Sequence, residues 1–593
     1  MVGGRRYLAL VVAVTALSLA ACTADPPPPV ESTETVKPTP APTTPAMKVV
    51  SVGIDEVGDG FNPHLLADLS PVNSAVGNLV LPSVFRPISS AVRPGVTEWM
   101  LDDSFALSAE VVSEAPFTIR YQLRNEAQWS DGAPIAAEDF RYLWQQMISV
   151  PGVVNPAGYQ LIQDVTSSGG GKTVNVVMRA AYPAWRELFT DLLPSHLIKD
   201  TLGGFSTGLS EGIPVSGAHF HVRSVDRGRD EIVLERNDRF WGKPSDPDQI
   251  VMRRAGTAAQ VADAMRTDDS QVAQIHAGSS TEIQLSAVPG VQTAFTYVPR
   301  TLDVTVNGRS AIFADVRVRK AVLGLLDSDL LAVVAAGSES ASAPAKAQIL
   351  SPSDPGYAPT APPKQSREQS VEQLVEAGYV VEPPSGPVPV GGTVGRIVRD
   401  GKPLTLVVGA PENDDIAIAV ANTAADELRD VGIAVTVKSV PAEELYGKEL
   451  TTGRVDMVVG WVRAGADPAT SLASRFSCPL VPIVAASVTP APTPVTPTPT
   501  TAREFNSEAP SNISGLCDPS LQPRIDEALS GIGDFGALIA DAEPKLWDLA
   551  AVLPIAQDRT LVATGTGVEG VTLVSPVQVG IFGNATNWVR VKK

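Results

Sequence analysis

Residues 404–461 constrain the fold most, because two hydrophobic periodicities alternate along them. An apolar run at 404–410 ends in glycine and proline, which is typical of a buried strand. The next apolar residues recur every three or four positions, as on one face of a helix: Ile416, Val420, Ala424, Leu428 and Val431. Residues 433–437 indicate a second strand, 442–450 a second helix and 455–461 a third strand. This alternation predicts right-handed crossovers and a parallel sheet.

Parallel sheets bind small molecules at the carboxyl ends of their strands, here residues 409–413 and 460–467. The candidate ligand-binding residues in these segments are Asn413, Trp461, Arg463 and Asp467. Trp461 offers a flat amphipathic ring and Arg463 a planar fork of donors, a combination suited to a sugar and a phosphate. A core position at the strand end is an equally good interpretation of Trp461, and a solvated side chain is the alternative for Arg463.

The N-terminus has the pattern of an export signal. Arg5 and Arg6 precede an apolar run at residues 7–19, and small residues lead to Cys22. The Leu-Ala-Ala-Cys sequence resembles the lipobox of bacterial lipoproteins, in which the cysteine is diacylated. We therefore expect residues 1–21 to be removed and the chain to be held at the outer face of the cell membrane by lipid on Cys22. A plain signal and a single membrane helix are the alternatives, and the apolar run is short for the second.

Two segments have compositions that cannot build a core. Residues 22–47 are mostly Pro, Thr, Ala, Ser, Val and Glu, and should form an extended tether. A second Pro/Thr tract at 489–500 lies between Cys478 and Cys517. In an exported protein this pair of cysteines predicts a disulfide at the base of that tract, and two free thiols are the alternative.

The charge balance limits the partners. The formal net charge is -19, and loss of Arg5 and Arg6 with the signal makes it more negative. Such a chain is not expected to bind nucleic acid or to adhere electrostatically to anionic lipid.

A longer motif carries a family resemblance. Residues 121–140 read Tyr-Gln-Leu-Arg-Asn-Glu-Ala-Gln-Trp-Ser-Asp-Gly-Ala-Pro-Ile-Ala-Ala-Glu-Asp-Phe, which is similar to a signature of the family 5 extracellular solute-binding proteins, the peptide and nickel class. Residues 234–244, 302–323 and 546–557 resemble further segments of that family in the expected order. Within these motifs, turn geometry and packing are the expected roles of Trp129, Asp131, Asn237 and Trp241.

The resemblance implies an α/β, bilobal periplasmic-binding-protein type II fold of the large family 5 class. Such a fold has two lobes, an extra subdomain in the first lobe and two hinge crossings, here expected near residues 298–302 and 553–561. The implied domains are a first lobe at 48–300, a second lobe at 301–556 and a return to the first lobe at 557–593.

Candidate catalytic and metal patterns are weak. Ser206 lies in a Gly-x-Ser-x-Gly sequence, but no strand is predicted before it, so a hydrolase is only the third hypothesis. His219 and His221 would share one face of a strand as a metal pair, but no further ligands accompany them at a suitable spacing. We expect two solvated histidines opposite a buried Phe220. The sequence predicts no enzyme, no metal and no cofactor.

One position separates the chain from dipeptide receptors of the family. In those proteins the loop after a Gly-Trp pair carries an aspartate that binds the peptide's amino group, and Ala464 stands at that place. A buried ammonium needs a carboxylate partner, which puts peptide import in doubt.

Four features together resemble an actinobacterial branch of the family: the lipid anchor, the stretch at residues 55–64, the Pro/Thr tract between the two cysteines, and Ala464 in place of the aspartate. That resemblance implies a monomeric, non-catalytic lipoprotein that binds an acylated phosphatidylinositol mannoside and directs it toward lipomannan and lipoarabinomannan. Mannosyltransferases would then be partners. The alternative is the oligopeptide receptor of an ABC importer, with a permease as partner.

Overall fold

The computed structural model describes residues 47–93, 96–337, 343–383, 395–478 and 512–591. The predicted signal, the lipidation site Cys22, nearly all of the tether and the Pro/Thr tract at 489–500 lie outside these residues. Within the described part of the chain, no helix combines the length and apolarity needed to cross a bilayer.

The predicted alternation at 404–461 is confirmed. Strands Thr405–Pro411, Ala434–Val440 and Met457–Arg463 flank helix Asp415–Asp430, and the first strand pairs in parallel with both others. A short helix and a π-helical turn fill the second crossover, at Ala442–Glu444 and Leu445–Glu449. The third strand extends two residues beyond its predicted end at Trp461.

Local signals explain where the long helix of this unit starts and stops. The Asp414 carboxylate accepts a hydrogen bond from the backbone N–H of Ala417 at 2.9 Å, which caps the N-terminus. Gly432 follows the helix with φ 92°, a left-handed conformation that favours glycine. The face between these ends is buried through Ala417, Val420, Ala421, Ala424, Ala425 and Leu428.

The three strands belong to one large mixed sheet. Its order is Ala434–Val440, Thr405–Pro411, Met457–Arg463, Gln292–Val306, Val552–Thr564, Val272–Ile275, Val49–Ile54, Gln249–Arg254, Glu231–Arg236 and Phe220–Asp226, with Ala343–Pro344 also paired to Val552–Thr564. The two central strands, Gln292–Val306 and Val552–Thr564, are the longest and run antiparallel. We call them the first and second crossing strands, and they lie where two hinge crossings were predicted.

The crossing strands join two large hydrophobic cores. One core includes Val50, Phe140 and Leu472, and the other includes Leu302, Leu428 and Trp461. We call the parts built on these cores the first and second lobes. The ladder between the crossing strands is irregular between Tyr297 and Thr301, where a bulge permits bending.

The first lobe carries an additional antiparallel sheet with the strand order Ala106–Glu114, Phe117–Leu123, Thr173–Met178 and Ile162–Ser168. Helix Ala137–Met147 packs on this subdomain through buried Phe140, Leu143 and Met147. Trp129 is fully buried, and the Asp131 carboxylate accepts from the Ala133 N–H at 3.0 Å. These two motif residues have the packing and turn roles predicted for them.

The remaining longer helices are Pro71–Val80, Ala258–Thr267, Ser279–Ser286, Val316–Gly324, Ser328–Ala336, Arg367–Glu376, Pro468–Phe476, Gln522–Leu529 and Phe535–Leu549. Short strand pairs and ladders are Phe85–Ser89 with Thr97–Leu101, Val380–Glu382 with Arg396–Arg399 and Lys402–Pro403, and Val568–Glu569 with Val589–Arg590. Helices Pro468–Phe476, Gln522–Leu529 and Phe535–Leu549 bury side chains in the first core, although their residues fall in the range predicted for the second lobe. The numerical lobe boundaries stay a prediction.

Cys478 and Cys517 form the predicted disulfide, with an S–S distance of 2.04 Å. The bond links the end of helix Pro468–Phe476 to the segment before Gln522–Leu529. It therefore closes the chain around the Pro/Thr tract.

The second core should depend strongly on Leu428, whose side chain is fully buried. Leu428→Ala is expected to lower the free energy of unfolding by about 2–5 kcal/mol, because it removes buried methyl groups and leaves a cavity. Leu330→Ala is the matched control, since Leu330 is 44% exposed on another helix, and should cost under about 1 kcal/mol. Equal urea-unfolding midpoints for the two variants would contradict this placement.

Candidate functional site

A cavity of about 400 Å³ lies between the two lobes. The first lobe contributes residues 54–59, which follow its first strand, and the second lobe contributes Asn413, Asp414 and Trp461. The second-lobe residues come from the carboxyl-end segments that were expected to carry the site. The cavity is the interlobal cleft of the molecule.

Asn413 bridges the mouth of this cleft. Its side-chain amide donates a hydrogen bond to the Asp59 carboxylate at 2.7 Å, joining the second lobe to the first. Both residues are exposed, and both line the cavity. A ligand that reached this edge of the cleft would meet an amide and a carboxylate from opposite walls.

Trp461 lies inside its strand and is 6% exposed. Its indole N–H donates to the Asp414 carboxylate at 2.5 Å, and the Arg300 guanidinium lies 4.0 Å from the ring centroid. The ring therefore belongs to the second core and to the cavity wall at once. Its role as a ligand contact stays a prediction.

Arg463 is the last residue of the same strand and lines two smaller cavities of about 90 and 30 Å³. Burial lowers the pKa of the Arg463 guanidinium, and the nearby acidic groups of Asp191 and Glu187 oppose this shift. Among the residues that the structure describes, its side chain has no hydrogen-bond partner and no ion pair. The alternative of a freely solvated arginine does not fit this partly buried position.

Asp467 has a structural task. Its carboxylate accepts from the backbone N–H of Thr470 at 2.9 Å and from the Thr470 hydroxyl at 2.8 Å, which caps helix Pro468–Phe476. Its own N–H donates to the Glu187 carboxyl group at 3.0 Å. Asp467 also lines a cavity of about 940 Å³, so its ligand-binding role stays a prediction. Ala464 beside it is 2% exposed.

A charged network runs behind the cleft and was not found from the sequence. The His276 ring lies between the carboxylates of Asp55 and Asp558, at 2.7 Å from each. Arg300 donates from Nε to Asp558 at 2.6 Å and from Nη1 to the Leu69 carbonyl at 2.9 Å. This network ties the end of the first strand to both crossing strands.

The two carboxylates determine the charge of His276. Burial alone would lower the pKa of the imidazole, but Asp558 and Asp55 outweigh it and raise the pKa to about 10. Burial would raise the pKa of Asp558, but the charges of His276 and Arg300 hold it well below its usual range. At neutral pH the network therefore contains two cations and two anions.

The cleft itself is acidic. Its lining includes the carboxyl groups of Asp55, Glu56, Asp59, Asp68, Asp414 and Asp415, against the three cationic groups of Arg227, His276 and Arg300. Burial, with a contribution from Asp59, raises the pKa of Asp68 to about 7, and burial with Asp415 and Asp55 also raises the pKa of Glu56. These groups can accept hydrogen bonds from hydroxyls or from an ammonium.

The remaining candidates are the serine of the Gly-x-Ser-x-Gly sequence and the metal-ligating residue types. Ser206 lies in the four-residue helix Gly204–Thr207, and a short helix and a turn precede it at 195–203. A nucleophile elbow needs a strand directly before the serine, and here a short helix and a turn stand in that place. Among the described residues there is no group of three or more His, Cys, Asp or Glu side chains that could hold a metal.

The expectation of two solvated histidines was wrong for one of them. His219 packs against Phe240 with ring centroids 4.1 Å apart, and burial lowers the pKa of its imidazole to about 4. His221 lies 3.8 Å from Glu235 on the neighbouring strand. Phe220 between them is buried as predicted.

The charge state of His276 predicts a pH dependence of stability. Because its pKa is raised from 6.5 to about 10 on folding, the stabilisation is complete below about pH 6.5 and is lost as the pH rises through 10. The thermal midpoint of the native chain should therefore fall between pH 7 and pH 10 by more than that of His276→Gln. Parallel pH profiles for the two proteins would contradict a charged His276.

Comparisons with known proteins agree with this architecture. Residues 101–479 match the family model described as bacterial extracellular solute-binding proteins, family 5 Middle. The chain is 48% identical to the probable monoacyl phosphatidylinositol tetramannoside-binding protein LpqW of Mycobacterium tuberculosis, over 98% of this chain and 97% of the relative. It is 23% identical to the oligopeptide-binding protein OppA of Mycobacterium bovis, over 78% of this chain and 73% of that one.

A solved structure gives the same fold. The oligopeptide-binding protein AppA from Bacillus subtilis, in complex with a nonapeptide, superposes with a TM-score of 0.67 at 14% identity, covering 92% of this chain and 100% of that chain. Together with the match over residues 101–479, these findings establish that the chain belongs to the family 5 bacterial extracellular solute-binding proteins.

Proposed function

We propose that this chain is a non-catalytic lipoprotein that binds an acylated phosphatidylinositol mannoside between its lobes. We further propose that it directs this glycolipid toward lipomannan and lipoarabinomannan synthesis in the cell envelope, with mannosyltransferases as partners. The observation that carries the proposal is the 48% identity, over 98% of the chain, to a protein named for binding such a mannoside.

The chemistry of the cleft supports a hydroxyl-rich ligand. Each ionised carboxylate can accept several hydrogen bonds, so the acidic lining offers many acceptors to mannose or inositol hydroxyls. The Trp461 ring and the Asn413 amide add an apolar surface and a donor on the second-lobe wall. A polyol satisfies such a lining without bringing charge into it.

A peptide receptor is the second candidate. The acidic cleft would also accept an ammonium group, and OppA is a relative over 78% of this chain. Ala464 opposes this function because it replaces the carboxylate expected beside the peptide's amino group. If the chain is a peptide receptor, its partner would be an ABC permease.

The setting follows from the N-terminal sequence. We propose that diacylated Cys22 holds the chain, as a monomer, at the extracytoplasmic face of the cell membrane, with residues 22–47 as a spacer. Two acyl chains on one cysteine hold a protein at the membrane more stably than a single acyl chain does.

The ligand can be identified directly. Native mass spectrometry of the full chain purified from its own host should reveal a bound mannosylated phosphoinositide, and Trp461→Ala should reduce its occupancy several-fold. Trp547→Ala is the matched control, because Trp547 lies outside the cleft lining and donates to Thr360 at 3.1 Å. A co-purified peptide in place of the glycolipid would favour the importer receptor.

The anchor has its own test. Cys22→Ala should move the protein from the membrane fraction to the soluble fraction or leave it as an unprocessed precursor, because the diacylglycerol can no longer be attached. Membrane fractionation with immunodetection measures this distribution. If the Cys22→Ala protein lost its signal and still stayed in the membrane fraction, lipid anchoring through Cys22 would be contradicted.

A further inference from the structure

Four cavities follow one another through the molecule. The acidic cleft shares Leu66 with the cavity of about 30 Å³, which shares Asn155 and Arg463 with the cavity of about 90 Å³. That one shares Trp99 and Glu187 with the cavity of about 940 Å³. Successive cavities therefore adjoin, and Arg463 stands between the first and the last.

The two ends of this row differ in size and lining. The cleft is lined by six carboxyl groups and by the cationic groups of Arg227, His276 and Arg300. The cavity of about 940 Å³ has an aromatic and aliphatic part, formed by Val96, Trp99, Phe295, Tyr297, Val574 and Val577, and a charged part, formed by Arg93, Glu98, Arg186, Glu187, Asp354 and Asp467. Its volume is within the range of about 300–1,000 Å³ that is usual for sites of small organic ligands. Val574 on its wall is 74% exposed, so this cavity is open to the surroundings.

Arg463 in the middle can bind an anion, although the acidic groups of Asp191 and Glu187 lie near it. A partly buried guanidinium offers five N–H donors, and no side chain of the described residues pairs with it. Phosphate matches the planar fork of arginine with two parallel hydrogen bonds. Burial, with the charge of Asp467, raises the pKa of neighbouring Glu187 to about 8, so at neutral pH this group adds little negative charge against a phosphate.

The strand fixes the spacing. Trp461 and Arg463 are two residues apart on Met457–Arg463, so their side chains leave the same face about 7 Å from each other. Trp461 lines the acidic cleft, and Arg463 lines the two small cavities next to it. A ligand lying along this strand would present a polyol to the first residue and a charged group to the second.

Resting on the proposed function, we infer that the glycolipid binds in a defined orientation: sugars in the acidic cleft, phosphodiester on Arg463 and acyl chains in the 940 Å³ cavity. The order of the cavities then matches the order of the ligand's parts. Arg463 and the wall containing Val577 become the residues that distinguish an acylated phosphoinositide from a free mannoside.

The test titrates the full chain with a soluble dihexanoyl phosphatidylinositol dimannoside and with its deacylated counterpart. The native protein should bind the acylated probe on the order of tenfold more tightly, because burial of its chains adds to the affinity. Arg463→Gln should weaken both probes on the order of 10- to 100-fold, since each loses a charge-assisted contact. Val577→Asp should remove only the preference for the acylated probe.

Matched controls separate these effects from general damage. Arg223→Gln changes an arginine that is 69% exposed, and Val380→Asp a valine that is 59% exposed, so both should bind like the native chain. Arg463→Lys keeps the charge without the fork and should give an intermediate loss, which also covers the case in which Arg463→Gln does not fold.

The outcomes are distinguishable. Native binding of both probes that survives Arg463→Gln, or an acyl preference that survives Val577→Asp, would overturn the orientation and leave the proposed function standing. Failure of the native chain to bind either probe would overturn the proposed function and the orientation with it.

Discussion

The antiparallel pairing of the two crossing strands is the constraint on which the rest of the structure depends. Gln292–Val306 and Val552–Thr564 each place residues in more than one hydrophobic core. The lobes are therefore connected by the covalent chain and also by the backbone hydrogen bonds between these two strands. The ladder is irregular only near Tyr297 to Asp303, where bulges reduce the number of bonds that bending must break. A hinge at this position lets the cleft open while both cores stay packed.

Charge at the hinge follows from this geometry. Asp558 lies on the second crossing strand with a side chain 4% exposed, and it is tolerated there because His276 and Arg300 both bind it. Loss of one partner of a buried ion pair costs on the order of 3–5 kcal/mol, because the other charge stays desolvated. The network continues from Arg300 over the Trp461 ring to Asp414. The hinge and the cleft wall are therefore parts of one polar cluster, and a ligand that touched Trp461 would act on both.

Sequence reasoning succeeded where the signal was local. The stripe from Ile416 to Val431 and the flanking strands are short-range patterns, and the family motifs located the crossings. It could not find the His276–Asp558 pair, whose members are 282 residues apart and carry no shared motif. The extension of the third strand to Arg463 depends on pairing with Arg300, which is also long-range. The capping role of Asp467 was not predicted, although an Asp before a Pro is a local signal for a helix start.

If the proposed phosphoinositide is the ligand, the acidity of the cleft bears on which part of it lies there. Two like charges 7 Å apart at an effective dielectric constant of 20 repel by about 2.4 kcal/mol, and several carboxylates would act together on a phosphate placed among them. Protonation of Asp68, whose pKa is about 7, relieves this only in part. Uncharged hydroxyls avoid the repulsion and use the same oxygens as acceptors. Arg227, His276 and Arg300 also line the cleft, but they already bond to a backbone carbonyl or to Asp55 and Asp558. For the proposed glycolipid, Arg463 therefore offers the anion a guanidinium without a hydrogen-bonded partner among the described residues.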